Sequence, residues 1–374
     1  MILFNLNKIF YYFLLIFFFF SLVGIGQIIN NKLIKIKNVN FFENFIIGIF
    51  FIIFYLQIHI IFFSINFFNS LLIISFLFIG FYFASKLLLQ IFSYKLIISL
   101  ILCYLVVLNS SVFPYYNVIF DFGLYHNTYL NWLNQSNIVL GLANLDNRFG
   151  YAGSSYLLGA FFNFYPFFNK GFVFTTSIFY VFLIFLLIHD IDLKKNKFDN
   201  LFNLLILYVV LKYIFVETLS DVSPSKIIGC LIIYIFYNLI KNYEYELKNN
   251  FVYSLLILPI LVSLSPSSWL ISIFLFIIIF FSEKFKNIYN YKIVFSFCLL
   301  LCFNYGLINF LKTGNIFYPV IFPIFDTSFT IYDNNILYHI QNFPKGYPVG
   351  LEWILPKLKE VFFLNNFALL FLLL

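Results

Sequence analysis

The feature that most constrains this chain is a recurring apolar run of about 20 residues, the length of a helix that crosses the hydrocarbon core of a bilayer. Such runs fall near 10–29, 44–63, 68–85, 94–110, 172–189, 201–216, 227–240, 251–263, 267–281, 293–311 and 361–374. In lipid, backbone N–H and C=O groups must be paired internally, so only helices and closed barrels span. Barrel strands alternate apolar and polar residues, whereas FIIGIFFIIFYLQIHIIFF at 45–63 does not. The expected fold class is therefore all-α, a polytopic integral membrane helical bundle. Composition agrees: 63% of residues are hydrophobic and 10% are charged, against roughly a quarter charged in a soluble domain.

The net charge of +7 does not point to nucleic acid, because the lysines sit in short loops between apolar runs, where they set orientation. Cys103, Cys230, Cys298 and Cys302 all lie in expected spans. No His or carboxylate joins Cys298 and Cys302, so these read as core residues rather than a disulfide or metal framework. Tyr11 to Ile29 is too long for a cleaved signal and lacks a small-residue cleavage site, which makes it a retained first span.

The run from Phe251 to Phe281 has 31 residues, about 46 Å as one helix and longer than the roughly 30 Å core. Its centre, Ser263-Leu264-Ser265-Pro266-Ser267-Ser268, breaks helices, so two short spans are expected to meet in a turn at Ser265-Pro266. Lysine placement supports that division. Lys32, Lys35, Lys37, Lys86, Lys95, Lys194, Lys195, Lys197, Lys241, Lys248, Lys284, Lys286 and Lys292 all fall inside only if the chain turns there. Five regions follow: N-terminal helices over 1–110, an external loop with interfacial helices over 111–170, a helix bundle over 171–311, a second external loop over 312–360, and the start of a further helix over 361–374. The last reads as the beginning of a span in an incomplete chain. The N-terminus is expected outside.

The first external loop carries the longest polar stretch of the N-terminal two-thirds, VFPYYNVIFDFGLYHNTYLNWLNQSNIVLGLANLDNRFGYAGSS at 112–155. An interfacial helix is expected over Leu124–Gln135, with Tyr125, Tyr129 and Trp132 on one face at headgroup level. A second short helix is expected from Ser155 to Phe164, stopping at Pro166. Asp121, just before the first helix, suits a general base on a sugar hydroxyl, a metal ligand, or a helix N-cap. His126 lies about 140° from it on a helix and suits phosphate orientation, metal binding with Asp121, or a solvated interfacial position. Arg148 is the only arginine in a lysine-rich chain. Its planar fork suits bidentate binding of a phosphate, or pairing with Asp146.

Other polar groups fall on the same side. Glu217 and Asp221, one turn apart, are secondary candidates to complete a site, or part of an ordinary interhelical loop; Ser223-Pro224-Ser225-Lys226 opens the next span. Asp190-Ile191-Asp192 spells a D-x-D triplet, but beside Lys194 and Lys195 it reads as a solvated loop. No strand, Gly-rich loop and helix unit for a nucleotide is present. The late loop from Lys312 to Glu360 contains Thr313-Gly314-Asn315-Ile316-Phe317-Tyr318-Pro319, and its length and aromatic content suggest an ordered lid.

From Asp121 to Ser155 the chain resembles a D-x-G-L-Y-H … W … V-x-G-L-x-N-L … R-x-G … S-S signature of large, poorly characterised bacterial membrane proteins encoded with surface-polysaccharide genes. The matching residues run from Asp121, Tyr125, His126 and Trp132 through Gly141, Arg148 and Gly150 to Ser154 and Ser155. SPSK at 223–226 and GNIFYP at 314–319 are similar to later motifs, although that family often has an acidic residue where this chain has Lys226. The family is similar in turn to GT-C glycosyltransferases, which use polyprenyl-phosphate sugars and an acidic residue in the first external loop. The resemblance implies a GT-C-like bundle in a bacterial cytoplasmic membrane, with the large loops on the periplasmic or extracellular side. It implies transfer of a sugar from a polyprenyl-phosphate carrier to a glycan or lipid-linked acceptor. Asp121 would be the base, with His126 as a second catalytic candidate, directly or through a divalent metal (Mg or Mn) held by Asp121 and His126. Arg148, Lys226 and Lys312 would bind phosphate, with Tyr125 and Trp132 as further substrate contacts. Two rivals are a polysaccharide polymerase or ligase and a lipid-linked glycan flippase. The absence of two symmetric halves with midplane polar groups favours an enzyme over a transporter.

Overall fold

Twelve α-helices form among the described residues of the computed structural model, which are 2–36, 39–91, 94–112, 125–151, 153–191, 197–216, 219, 222–241, 248–281, 292–318, 327 and 330. They are α1 (Ile2–Ile29), α2 (Phe41–Phe62), α3 (Leu71–Ile91), α4 (Tyr94–Val112), α5 (Asn127–Gln135), α6 (Ser154–Phe162), α7 (Phe174–Asp190), α8 (Lys197–Val216), α9 (Pro224–Lys241), α10 (Lys248–Leu264), α11 (Trp269–Phe281) and α12 (Lys292–Thr313). The chain is all-α. Four helical stretches, Lys8–Ile34, Phe41–Phe62, Gly171–Asp190 and Lys292–Thr313, are long and apolar enough to cross a membrane, the pattern of an integral membrane bundle. Asp121, Glu217, Asp221, most of the late loop and the run 361–374 lie outside the described residues.

The third of these stretches is the axis of the bundle. Every side chain from Phe174 to Ile188 is buried, as expected of a helix apolar on all sides. Helices α1, α2 and α3 approach one another through glycines. A Cβ on Gly24 would overlap the Gly80 carbonyl oxygen, and one on Gly26 would overlap that of Asn44. Small residues allow this backbone approach where lipid supplies no hydrophobic drive between helices. The outward faces stay apolar: Phe78 and Tyr82 on α3, Leu270 and Phe274 on α11, and Leu299 and Phe303 on α12 are exposed. Asn40 caps α2, accepting from the Glu43 N–H at 2.8 Å while the Glu43 carboxylate accepts from the Asn40 N–H at 2.7 Å. This reciprocal arrangement pairs two donors that the helix cannot pair itself.

The helix ends sort into two groups. At one, Lys95 Nζ donates to the His189 carbonyl at 2.9 Å, and the Phe42 and His189 rings lie 5.5 Å apart. Tyr237 there donates to Asp190 at 2.6 Å and approaches Asn203 at 3.1 Å. Asp190 is thus held by a buried tyrosine between α7, α8 and α9, not free in a solvated loop; Asp192 lies outside the described residues. At the other end, the Ile138 N–H meets the Ile60 carbonyl, the Gly141 N–H meets the Leu311 carbonyl, and the Ile65 N–H meets the Leu133 carbonyl. Asn109 bridges the end of α8 to Leu219. The first turns of α1 reach this second end, where Phe10 and Tyr11 meet Phe168.

The stretch 251–281 is two helices. A 3-10 turn at Pro266–Ser268 separates α10 from α11. The Ser268 hydroxyl donates to the Leu261 carbonyl, and the Trp269 indole donates to the Val262 carbonyl at 3.0 Å. These two bonds tie the start of α11 back onto the end of α10. Both short helices of the first external loop also form, at Asn127–Gln135 and Ser154–Phe162. The second differs from an interfacial helix, because all nine of its residues are buried. It is wedged beside α2, α5 and α7, and Gly153 at its start lies so close to the Ser263 and Leu264 carbonyls that no side chain fits.

Candidate functional site

Helix α5 turns its aromatic face into the protein rather than toward headgroups. Tyr129 is buried, and Tyr125 and Trp132 are half-buried against the core. Asn127, Asn131 and Gln135 take the exposed side. The ring of Tyr129 stacks on Phe149 at 5.8 Å and meets Tyr156 edge-on at 5.3 Å. Burial raises its phenol above the usual range, and nearby Tyr305 adds to the shift because both act against a phenolate.

His126 is buried, not solvated. Its Nδ1 is hydrogen-bonded to the Tyr156 hydroxyl at 2.7 Å, and its ring stacks on Tyr156 at 5.3 Å. That bond orients the imidazole from behind and directs any further chemistry to Nε2. A metal held with Asp121 would use that nitrogen. Among the described residues no group of three or more His, Cys, Asp and Glu side chains is placed to hold a metal ion. Below this pair, Gln57 of α2 donates to the Ser154 hydroxyl at 3.0 Å.

Arg148 is paired with Asp146. Its Nε lies 3.0 and 3.1 Å from the two carboxylate oxygens, its Nη2 lies 2.7 Å from Oδ2, and its backbone N–H donates to Oδ1 at 2.9 Å. The guanidinium carbon sits 4.8 Å from the Tyr125 ring centre. Side-chain exposures of 36% and 23% leave this pair well hydrated, so it contributes on the order of 0–1 kcal/mol to stability. Its effect is geometric: it locks the turn Asn147–Tyr151 and holds a cation over the aromatic face.

Lys312 is the more unusual cation. At the end of α12 it is completely buried. Its Nζ donates to the carbonyls of Phe149 at 3.3 Å and Gly150 at 3.4 Å and lies 5.7 Å from the Tyr129 ring centre. Tyr125 and Tyr129, one helical turn apart, therefore each carry a cation within cation–π range. Gly150 permits this approach, since a Cβ there would come within 2.5 Å of the Tyr318 ring. Gly314, with φ of 76°, ends α12 in the left-handed conformation that glycine adopts readily.

The candidate residues from the sequence thus separate. His126, Tyr125, Arg148 and Lys312 come together around α5 and the turn 147–151. Trp132 lies further along α5. Lys226 is buried one turn into α9, at the same end of the bundle, where Val222 packs beside Gly159 of α6. Tyr156 and Gln57 belong to the site but carried no motif of their own, and Tyr129 was legible only as part of the aromatic face. Tyr305 and Asn309 were also missed, although polar residues inside an apolar run are a signal in themselves. A family model described as Domain of unknown function (DUF8201) matches residues 8–352. No curated protein and no solved structure matches the chain. The match runs through all twelve helices and both sides of the Lys312 contact, and the chain belongs to the DUF8201 family.

Proposed function

We propose that this protein is a GT-C-like membrane glycosyltransferase acting outside the cytoplasm, with a polyprenyl-phosphate sugar as donor and a glycan or lipid-linked glycan as acceptor. The observation that carries the reading is Lys312. A fully buried lysine amine, held by two loop carbonyls beside an aromatic face, is a pre-placed donor in a partly dry site, and an anion brought beside it favours its charged form. Such a charge is most effective where negative charge develops on a leaving phosphate.

In this mechanism an acceptor hydroxyl oxygen attacks the anomeric carbon. The bond from that carbon to the phosphate oxygen breaks, and the phosphate leaves with the electron pair. The hydroxyl proton passes to Asp121 as general base. Lys312 stabilises the departing phosphate, with Lys226 as the second buried cation at that end. Arg148 has much of its fork engaged by Asp146, so its part is to hold the loop and add field rather than to bind phosphate in bidentate fashion. His126, fixed by Tyr156, orients donor or acceptor. A divalent metal bound through Asp121 and His126 would supply Lewis-acid stabilisation of the same phosphate.

The test is turnover of a panel of polyprenyl-phosphate sugars by the full-length protein in lipid. Wild type is compared with Asp121→Asn and Lys312→Met. Donor consumption is expected in wild type and a loss of at least ~100-fold in each variant. Turnover that survives Asp121→Asn removes the base assignment. Labelled lipid that crosses the bilayer with no donor consumed makes the protein a transporter instead.

A further inference from the structure

Two turns at the candidate-site end of the bundle are built inside out. Between α2 and α3, polar side chains fold back onto the turn itself. Asn66 and Asn69 each donate through Nδ2 to the Ser64 hydroxyl, at 2.9 and 2.8 Å, and the Asn69 N–H donates to Asn66 Oδ1 at 2.9 Å. His59, in the last turn of α2, approaches the Ser64 carbonyl through Nε2 at 3.2 Å. The phenyl rings take the outside: Phe62, Phe63 and Phe68 are exposed, Phe68 by 60%. The turn after α6 repeats the pattern. Asn163 is buried and accepts from the Phe172 N–H at 2.9 Å, while Phe167 is 69% exposed. The Phe67 N–H donates to the Tyr165 carbonyl at 2.9 Å and joins the two turns. Phe167 lies edge-on to Phe67 at 5.1 Å and beside Phe68 at 5.7 Å.

Charge follows the same line. No Asp, Glu, Lys or Arg lies between Glu43 and Lys86, or between Arg148 and Lys170. Lys170, just past Phe168, is exposed, where a cation would reach headgroups. The exposed rings run on into the outward faces of α1 and α3, at Phe10 and Phe13 and at Leu71 and Leu72. We propose that these two turns form a phenyl wedge that enters the lipid leaflet at the candidate-site end, with its rings at the boundary between headgroups and acyl chains. Apolar faces that carry Phe sink about 5–10 Å into that boundary. Amides paired within the turn suit this depth, because water there is scarce and an unpaired amide is costly. A turn in water would gain by the reverse arrangement. A soluble partner would need a polar rim around the rings, whereas here they continue without one into the apolar faces of the spans. The Ile65 N–H donates to the Leu133 carbonyl at 2.8 Å, so the wedge is bonded to α5 and holds the candidate site beside the headgroups. A substrate that travels in the membrane plane meets it there. The wedge does not rest on the transferase reading.

Spin labels test this. Nitroxides are attached to Phe68→Cys and Phe167→Cys of the full-length protein, with the exposed Asn137→Cys as a reference, in nanodiscs of phosphatidylethanolamine and phosphatidylglycerol. Both phenylalanine positions are exposed, so the label displaces no core residue. Wild type treated in the same way gives the background of the native thiols. Power saturation compares collisions with oxygen, which concentrates among acyl chains, and with a nickel chelate, which stays in water. Oxygen is expected to relax the labels at both phenylalanine positions more than the nickel chelate does, with the order reversed at Asn137→Cys. Stronger relaxation by the nickel chelate at the phenylalanine positions puts the turns in water and overturns the wedge. Labels there that neither reagent reaches are covered by protein, from this chain or a second copy, which overturns it as well.

Discussion

At the scale of single residues, Lys312 and Gly150 depend on one another across 162 positions of sequence. The ammonium reaches the Gly150 carbonyl because that residue has no side chain to hold the loop away from Tyr318. Gly150 is not at a positive φ, so an alanine there is limited by space alone. Tyr318 is fully buried and has little room to yield. Gly150→Ala is therefore expected to destabilise the protein by about 1–3 kcal/mol and to lower the donor turnover that depends on Lys312. A thermal melt and the turnover assay check both. A melting temperature equal to wild type would show that the ring gives way, and the glycine would then have no part in positioning the lysine. The same scale explains why Arg148 was ambiguous in sequence. Both of its readings were open from its fork chemistry, and only the placement of Asp146 two residues away decided where the fork goes.

At the scale of elements, helix contact in this bundle is set by glycines as much as by large side chains. Gly24 lies under Gly80 and Gly26 under Asn44, each with backbone touching backbone. Aromatic rings fill the space around them, as where Phe45 stacks on Phe182 at 4.6 Å. Gly24→Leu has no rotamer that avoids the α3 backbone, so α3 must move off α1. The expected outcome is a loss of several kcal/mol or failure to recover folded protein. Size-exclusion profiles and melts of Gly24→Leu beside Leu72→Ala check this, the latter changing an exposed position on α3. Equal behaviour of the two would mean that the α1–α3 contact does not hold the bundle. The turn at Pro266 belongs to this scale as well. Proline removes a helix donor there, and Ser268 and Trp269 then take up carbonyls at the end of α10.

At the scale of the whole molecule, the helix ends divide into a lysine-bearing end and an end with long polar loops. The proposed function needs the second to face outward. Asn137 is exposed near the candidate site, and Asp199 is exposed at the other end. Cys103, Cys230 and Cys298 are buried and Cys302 is half-buried, so the native thiols give a low background. In intact cells, Asn137→Cys is expected to react with a membrane-impermeant thiol reagent, and Asp199→Cys only after permeabilisation. The reverse pattern would put the candidate site in the cytoplasm and remove the external transferase. The helical character of the described apolar runs and the break at Ser265-Pro266 are local properties, so they were legible from hydropathy and proline chemistry. The two short helices of the first external loop were legible for the same reason. The burial of His126 against Tyr156, the pairing of Asp190 with Tyr237, and the meeting of Lys312 with Phe149 and Gly150 were not. Each joins groups far apart in sequence, and an apolar run looks the same whether its neighbour is lipid or another helix. Only tertiary packing separates those two environments, and the contact of α12 with the turn at 147–151 brings the two cations beside the Tyr125 and Tyr129 rings.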